Sequence, residues 1–171
     1  MSRILVVYYS MSGHTGRLAE DVARRCGADL EPIREVRPRA GATGAARALW
    51  DVLAKRHVAL RRGQRRPVEY DLVALGTPVW AGRVSAPMRS WIDDHRQALP
   101  EVAFFCTAGG AGTERVFRQM RELCRREPVA TLAVTERELG ATETDARITR
   151  FAETLERPAL DTIGPTGTAP A

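Results

Sequence analysis

Short apolar runs alternate with segments of helical periodicity along most of the chain, and this alternation restricts the possible folds more than any other feature. Five runs have the character of buried strands: residues 4–9, 30–33, 72–75, 102–106 and 130–134. Between and after them, apolar residues recur every third or fourth position, as on one face of an α-helix. Strands that alternate with helices form a parallel sheet, because parallel strands need crossover connections. The sequence therefore predicts an α/β fold with helices on both faces of the sheet.

The helical segments have recognisable apolar stripes and start signals. The stripes are Leu18, Ala19, Val22, Ala23 and Cys26; Ala45, Ala48, Leu49, Val52 and Leu53; Met88, Trp91, Ile92 and His95; Val116, Phe117, Met120, Leu123 and Cys124; and Ile148, Phe151, Ala152 and Leu155. Ser85 is a candidate N-cap before Pro87, and the TETD segment at 142–145 resembles a capping box. Trp50 and Trp91 fall on these stripes and are predicted to lie in the core. Pro32 places the second strand at a sheet edge.

The length and composition limit the class of protein. A chain of 171 residues is the size of one domain, and we assign residues 1–157 to it and 158–171 to a loose C-terminal tail without periodic pattern. No apolar run is long enough to span a bilayer, and the first residues lack the pattern of a signal peptide. We expect a cytoplasmic protein. Its three cysteines, Cys26, Cys106 and Cys124, are predicted to be buried free thiols.

The chain is basic, with 26 lysine and arginine residues against 21 acids and a net charge of +5. Arginine-rich segments at 61–66 and 121–126 lack interleaved aromatic residues and any recognition motif. They are interpreted as solvated helix ends, and no nucleic-acid partner is expected.

Three loops at the carboxyl ends of predicted strands are rich in glycine and hydroxyl groups. They are SMSGHTG at 10–16, GTPVWAGRVS at 76–85 and TAGGAGT at 107–113. Ligands of parallel sheets bind at this edge. The hydroxyls of Ser10, Ser12 and Thr15, together with the positive end of the following helix, can bind a terminal phosphate. The same residues also serve as ordinary turn and capping residues, and His14 is interpreted first as a solvent-facing turn histidine.

Other occupants of such a fold do not match these loops. The GK[ST] of a P-loop and the GxGxxG dinucleotide turn are both absent. A receiver domain needs an aspartate at the end of the third strand, whereas Asp71 precedes it. A phosphatase loop of the C-x5-R type is also missing, because Gly112 stands where the arginine would follow Cys106.

Three segments, VVYYSMSGHTGRLAEDVA, YDLVALGTPVWAGRVSAPMRSWID and FFCTAGGAG, resemble the flavodoxin family in their order and separation. The resemblance covers about residues 2–156 and is nearest to the short flavodoxin-like proteins. It implies a flavodoxin-like three-layer sandwich whose five-stranded parallel sheet has the order 2-1-3-4-5. It also implies noncovalent binding of FMN.

By this resemblance, the three loops hold different parts of FMN. The phosphate would be bound by Ser10, Met11, Ser12, Gly13, His14 and Thr15. The isoalloxazine would be bordered by Thr77, Pro78, Val79, Trp80, Ala81 and Gly82, and closed on its other side by Thr107, Ala108, Gly109 and Gly110. Trp80 is the stacking candidate, with a partly exposed loop aromatic as the alternative. No residue is predicted to act as a general acid or base, and no metal site is predicted.

The chain departs from classical electron-carrying flavodoxins in two ways. It is basic rather than acidic, so its partner should be an acidic surface or a small molecule. Its third loop has no aromatic residue to cover the outer flavin face. The first hypothesis is an FMN-binding protein carrying electrons between a reductase and an acceptor. The second is an NAD(P)H-dependent reductase of quinones or similar small oxidants, and the third is a flavin-free interaction module. A monomer or dimer is expected.

Overall fold

The computed structural model describes residues 2–37, 44, 46, 50, 51, 54 and 56–157, and the account below concerns these residues. The strands are β1 (Ile4–Tyr8), β2 (Asp29–Pro32), β3 (Leu72–Trp80), β4 (Arg83–Val84), β5 (Glu101–Ala108) and β6 (Pro128–Thr135). The helices are α1 (His14–Cys26), α2 (Ala86–His95), α3 (Thr113–Cys124) and α4 (Thr142–Glu156). Short 3₁₀ turns occupy Pro67–Glu69 and Arg96–Ala98. The described residues do not include the tail at 158–171 or the members of one predicted stripe, Ala45, Ala48, Leu49, Val52 and Leu53.

The five long strands form one parallel sheet in the order β2-β1-β3-β5-β6, which confirms the predicted topology. The two-residue β4 is an addition that pairs antiparallel with the end of β3. Strand β2 stands at the sheet edge, as Pro32 required. Because the long strands run in parallel, their carboxyl ends meet at one edge of the sheet.

Each face of the sheet packs against two helices. Alternate residues of β1 face opposite ways: Leu5 and Val7 join the core under α2 and α3, while Ile4 and Val6 join the core under α1 and α4. The central strands β1, β3 and β5 supply apolar residues to both cores, as sheets covered on two faces require, whereas the edge strand β2 carries Asp29 and Glu31. The three-layer sandwich predicted from the alternation is therefore present.

Several local predictions are wrong. Strand β3 continues to Trp80, so Thr77–Trp80 are strand residues rather than loop residues, because β4 and β5 pair with them. Thr107 and Ala108 similarly belong to β5. Trp50 is 62% exposed and not in the core, whereas Trp91 is buried as predicted. Helical periodicity alone did not show that Trp50 is exposed.

The predicted helix caps also differ from the structure. Ser85 occupies the N-cap of α2, but its hydroxyl bonds to Thr77 rather than to the helix. The N-cap of α4 is Ala141, and no described side chain caps that helix. The N–H of Ala141 donates to the carbonyl of Glu138, and this turn places Thr142 already inside the first turn of α4. The capping box predicted at 142–145 is therefore not formed.

The two arginine-rich segments have different environments. Residues 121–124 are the end of α3, as predicted. Residues 61–66 are exposed but form a connection between the bridge residue Leu60 and the 3₁₀ turn at Pro67, not a helix end. None of the helices in the described ranges has the length and apolar character needed to cross a bilayer.

The three cysteines are buried free thiols, as predicted. Burial raises the pKa of both Cys106 and Cys124 to about 12, and it also raises the pKa of Cys26. Because the thiolate is the reactive form, we expect negligible reaction of the folded protein with a thiol reagent at pH 8. All three thiols should react in denaturant. Fast labelling of even one thiol in the native protein would contradict this prediction.

Candidate functional site

The first loop joins β1 to α1 and is shaped by a left-handed glycine. Gly13 is the N-cap of α1 with φ +92°, a conformation that other residues rarely adopt. Its N–H donates to Ser10 Oγ at 3.1 Å, which folds the loop over the helix N-terminus. The first turn of α1 contains no acid, so the positive end of the helix is not neutralised there. Met11 and Ser12 project outward and are exposed.

His14 begins α1 and links the first loop to the end of β6. Its Nδ1 lies 3.2 Å from Ser12 Oγ and 3.3 Å from Glu136 Oε1. The ring is partly exposed, in agreement with the solvent-facing histidine predicted. Sequence reasoning missed Glu136. It directly follows β6 at the same sheet edge, and this position is the signal that could have identified it.

Thr15 and Thr107 join the first and third loops through a buried hydrogen bond. Their hydroxyl oxygens are 2.7 Å apart, and both side chains are almost fully buried. The sequence placed Thr15 at a phosphate and Thr107 beside a ring. In this structure the two hydroxyls form a hydrogen bond with each other, in which either oxygen can be the donor.

Removing one of these hydroxyls should cost stability. In Thr107→Val, the Thr15 hydroxyl stays buried without this partner, so we expect a loss of about 1–3 kcal/mol of unfolding free energy. Thr15→Val should cost a similar amount. The double variant should lose less than the sum of the two, because no hydroxyl is then left unpaired. Urea denaturation of the four proteins measures the coupling, and strictly additive losses would contradict the prediction.

The second loop is a hairpin that extends β3 beyond the sheet. Thr77, Pro78, Val79 and Trp80 lie on its outgoing strand, and Ala81 and Gly82 form the turn. Both turn residues have positive φ, 49° and 67°, which indicates a type I′ turn.

The hairpin base is fixed by Thr77. Its hydroxyl donates to Ser85 Oγ at 3.0 Å and accepts the Ser85 N–H at 3.2 Å. The hairpin is thereby held to the start of α2.

Trp80 is held between the hairpin and the end of β1. Its indole meets the Tyr9 ring edge to face, with centroids 5.6 Å apart and planes at 90°. The Tyr9 hydroxyl donates to Glu35 Oε1 at 2.7 Å. Trp80 is half-buried, so part of its surface remains available to a ligand. Sequence reasoning did not identify Tyr9 or Glu35 as supports of this residue.

The third loop approaches the hairpin through glycine. A Cβ built on Gly112, which has φ +104°, would lie 2.9 Å from the Cα of Gly82. Ala108 is buried in β5, while Gly109 and Gly110 are exposed, and a Cβ on either would meet no described atom within 4 Å. Gly112 was not assigned to the site, although its spacing from the other two glycines was a visible signal.

All three loops thus lie at one edge of the sheet, and direct contacts connect the first to the third and the third to the hairpin. The edge offers hydroxyls, a free helix N-terminus, a partly exposed indole and bare glycine backbone. Neutral donors and a helix N-terminus suit a phosphate, and an indole beside open backbone suits a flat ring.

Two curated quinone dehydrogenases are similar to part of the chain. The NAD(P)H dehydrogenase (quinone) of Cupriavidus metallidurans is 35% identical over 96 residues, which cover 54% of this chain and 46% of that protein. The NAD(P)H dehydrogenase (quinone) 3 of Rhizobium meliloti is 30% identical over 103 residues, covering 54% of this chain and 43% of that protein. The chain therefore spans less than half the length of these relatives.

Solved structures share the fold over most of the chain. The flavoprotein of Lactobacillus acidophilus, solved in complex with FMN, has a TM-score of 0.69 at 20% identity and covers 89% of this chain and 99% of its own. The flavodoxin, WrbA-like protein of Agrobacterium tumefaciens has a TM-score of 0.58 at 18% identity, covering 90% and 96%. At these identities the likeness shows the fold alone. The sequence profile described as Flavodoxin matches residues 3–151, and with this match across the sheet and all three loops the chain belongs to the flavodoxin family.

Proposed function

We propose that the chain binds FMN at the carboxyl edge of the sheet and uses it to reduce quinones or similar small oxidants with NAD(P)H. The balanced reaction is NAD(P)H + H⁺ + quinone → NAD(P)⁺ + quinol. When bound, FMN would supply the hydride-accepting and electron-donating chemistry. The protein would supply binding, orientation and shielding from water.

The residues present fit the phosphate of FMN. The left-handed Gly13 turns the first loop so that hydroxyls and the N-terminus of α1 lie on one side. Ser10 and Ser12 have hydroxyls that can donate to phosphate oxygens, and His14 offers a ring nitrogen. Thr15 can accept the hydrogen bond from Thr107 and still donate its own hydroxyl hydrogen to a phosphate oxygen, and its backbone N–H belongs to the first turn of the helix. Met11 would contribute only backbone.

The flavin ring would lie between the hairpin and the third loop. Thr77, Pro78 and Val79 build the strand that supports Trp80, and Ala81 with Gly82 forms the turn at the ring rim. Thr107 and Ala108 end β5, and Gly109 and Gly110 follow on the exposed side. Trp80 would stack on the ring with the exposed part of its indole.

One observation favours a small-molecule reductase: Gly109 and Gly110 present bare backbone to open space. No aromatic residue of the third loop covers a flat ring there, so a nicotinamide or a quinone has room to stack. The net positive charge of the chain also favours a small-molecule reductase, because it does not provide the acidic surface that steers classical carriers to basic partners. The names of the partial relatives point in the same direction.

The proposal is tested by titrating the purified protein into FMN and following flavin fluorescence. We expect saturable quenching, followed by oxidation of NAD(P)H that accelerates when a quinone is added. Absence of FMN binding would reject the proposal and leave a flavin-free interaction module. Binding without oxidation of NAD(P)H would reject the reductase but keep the flavoprotein.

Two substitutions of Trp80 test the stacking role. Trp80→Ala should weaken FMN binding about tenfold, because an aromatic stacking contact of about 1–2 kcal/mol is lost. Trp80→Phe keeps a flat ring and should recover most of the affinity. The measurement is the same fluorescence titration. Equal affinity of the alanine variant and the unmodified protein would show that Trp80 does not contact the ring.

The second candidate function is electron transfer between a reductase protein and an acceptor protein. The exposed turn at Ala81 and the exposed glycines of the third loop favour it, because both can meet a partner surface at the ring rim. This carrier would not oxidise NAD(P)H alone. It would do so only when a separate reductase is added, and that comparison distinguishes the two functions.

A further inference from the structure

A basic groove lies between α2 and α3 and begins at the hairpin of the second loop. We call it the α2–α3 groove. It has a volume of about 340 Å³ and is lined by four arginines, Arg83, Arg89, Arg96 and Arg125, with Gln119 and Glu122. Its lining holds four guanidinium groups and one carboxylate, and Asp51 and Asp93 lie close enough to Arg89 to offset part of its charge, so the groove remains net positive. A concave surface of this charge favours anions.

Three of the four groove arginines have no ion-pair partner among the described residues. Among the described residues, Arg83, Arg96 and Arg125 make no ion pair, whereas Arg65 and Arg147 elsewhere do. Their charges therefore remain available to a ligand. Guanidinium groups bind phosphate oxygens through paired N–H donors, which makes arginine a favoured residue for phosphate recognition.

Arg89 is fixed within the groove. Its Nη2 donates to the carbonyl oxygens of Arg56 at 2.7 Å and Asp51 at 3.3 Å. Burial lowers its pKa, Asp93 and Asp51 partly offset this, and the positive charge of Arg83 lowers it further. An anion bound between Arg83 and Arg89 would relieve this repulsion.

The groove is continuous with the candidate site. Arg83 pairs with Trp80 across the hairpin, and the Val84 N–H donates to Gln119 Oε1 at 3.1 Å. From there the groove follows both helices toward Arg96 and Arg125. Arg89 and Arg96 are seven residues apart, about 10 Å along a helix. One end therefore lies at the hairpin that carries Trp80 and the other near the carboxyl ends of the two helices.

We propose that the α2–α3 groove binds the phosphate groups of the nicotinamide dinucleotide and selects NADPH over NADH through its 2′-phosphate. This inference rests on the proposed function, because it assigns a subsite to the reductant of that reaction. With its nicotinamide at the flavin ring, an extended dinucleotide would direct its phosphates along the groove. The extra phosphate of NADPH adds charge that the unpaired arginines can neutralise.

The test uses 2′,5′-ADP, which carries the adenosine phosphates without a nicotinamide and needs no flavin. We expect saturable calorimetric binding to the full-length protein and competition with NADPH. Arg96→Ala and Arg125→Gly should each weaken binding about tenfold, the effect of one charge-assisted contact. Arg125 has φ +53°, where glycine is favoured, so its replacement should not impair folding. Arg118→Ala is the matched control, because Arg118 is exposed on α3 outside the groove, and it should bind normally.

The groove substitutions should also change the enzyme kinetics, by raising KM for NADPH but not for NADH. Arg125→Gly should raise KM for NADPH about tenfold while changing KM for NADH and kcat little. The inference is overturned if 2′,5′-ADP does not bind, if adenosine 5′-monophosphate binds equally well, or if Arg118→Ala weakens binding as much as Arg125→Gly. Binding of 2′,5′-ADP by a protein that does not bind FMN would support the groove and reject the proposed function. Oxidation of NADPH that the groove substitutions do not affect would support the proposed function and reject the groove as a binding site for the dinucleotide phosphates.

Discussion

Gly76→Ala is expected to lower the unfolding free energy by about 3 kcal/mol or more, because the added methyl group would overpack a closed core. Gly76 lies in the middle of β3 and pairs with Phe105 of β5. A Cβ at this position would lie 2.1 Å from Cζ of the Phe105 ring, well inside van der Waals contact. Phe105 is fully buried and meets Phe151 edge to face, so its ring has no free space to enter. Urea denaturation measures the loss.

The control for this prediction adds the same methyl group in open space. Gly109→Ala meets no described atom within 4 Å, so it should change stability by less than about 0.5 kcal/mol. Phe105→Leu removes the ring that the new methyl strikes. In that background Gly76→Ala should cost clearly less than in the unmodified protein. An unchanged cost in both backgrounds would show that the clash with Phe105 is not the cause.

The sheet could be predicted from the sequence because its signals are local and repeated. The central strands β1, β3 and β5 contribute apolar residues to both cores, and each of the four described helices carries an apolar stripe. The edge position of β2 followed from Pro32 alone. Such patterns arise because the whole fold buries these residues. Many residues together specify the fold, so the signal does not depend on any one of them.

The hairpin could not be predicted because it depends on pairing beyond the sheet. Residues 76–85 contain a proline and two glycines, which are typical of a loop. Val79 and Trp80 remain in strand conformation because Val84 and Arg83 return beside them. The turn itself uses Ala81 at φ +49°, and alanine gives no signal of a type I′ turn.

The supporting contacts of the site were missed because they join residues distant in sequence. Thr15 meets Thr107, and His14 meets Glu136. Each partner lies at the carboxyl end of a different strand, so only the strand order brings them together. The sequence indicated three segments that the fold brings to one edge of the sheet, but not the bonds between them.

Gly13→Ala is expected to weaken FMN binding about tenfold and to lower the unfolding free energy by roughly 1–2 kcal/mol. Gly13 has φ +92° and ψ −19°, and a Cβ there would meet no described atom within 4 Å. The effect is therefore one of backbone conformation, not of collision. If residue 13 adopts a negative φ in the variant, the hydrogen bond from its N–H to Ser10 Oγ is lost. The loop hydroxyls then no longer face the proposed phosphate.

The same helix provides the control. Gly27 ends α1 with φ +60°, and a Cβ on it would likewise meet no described atom within 4 Å. Gly27→Ala should cost roughly 1 kcal/mol of stability, yet leave FMN affinity unchanged, because it lies at the opposite end of the helix. Fluorescence titration and urea denaturation of both variants separate the two effects. Equal loss of affinity in the two variants would mean that affinity follows global stability, and the first loop would then have no special role in binding the phosphate.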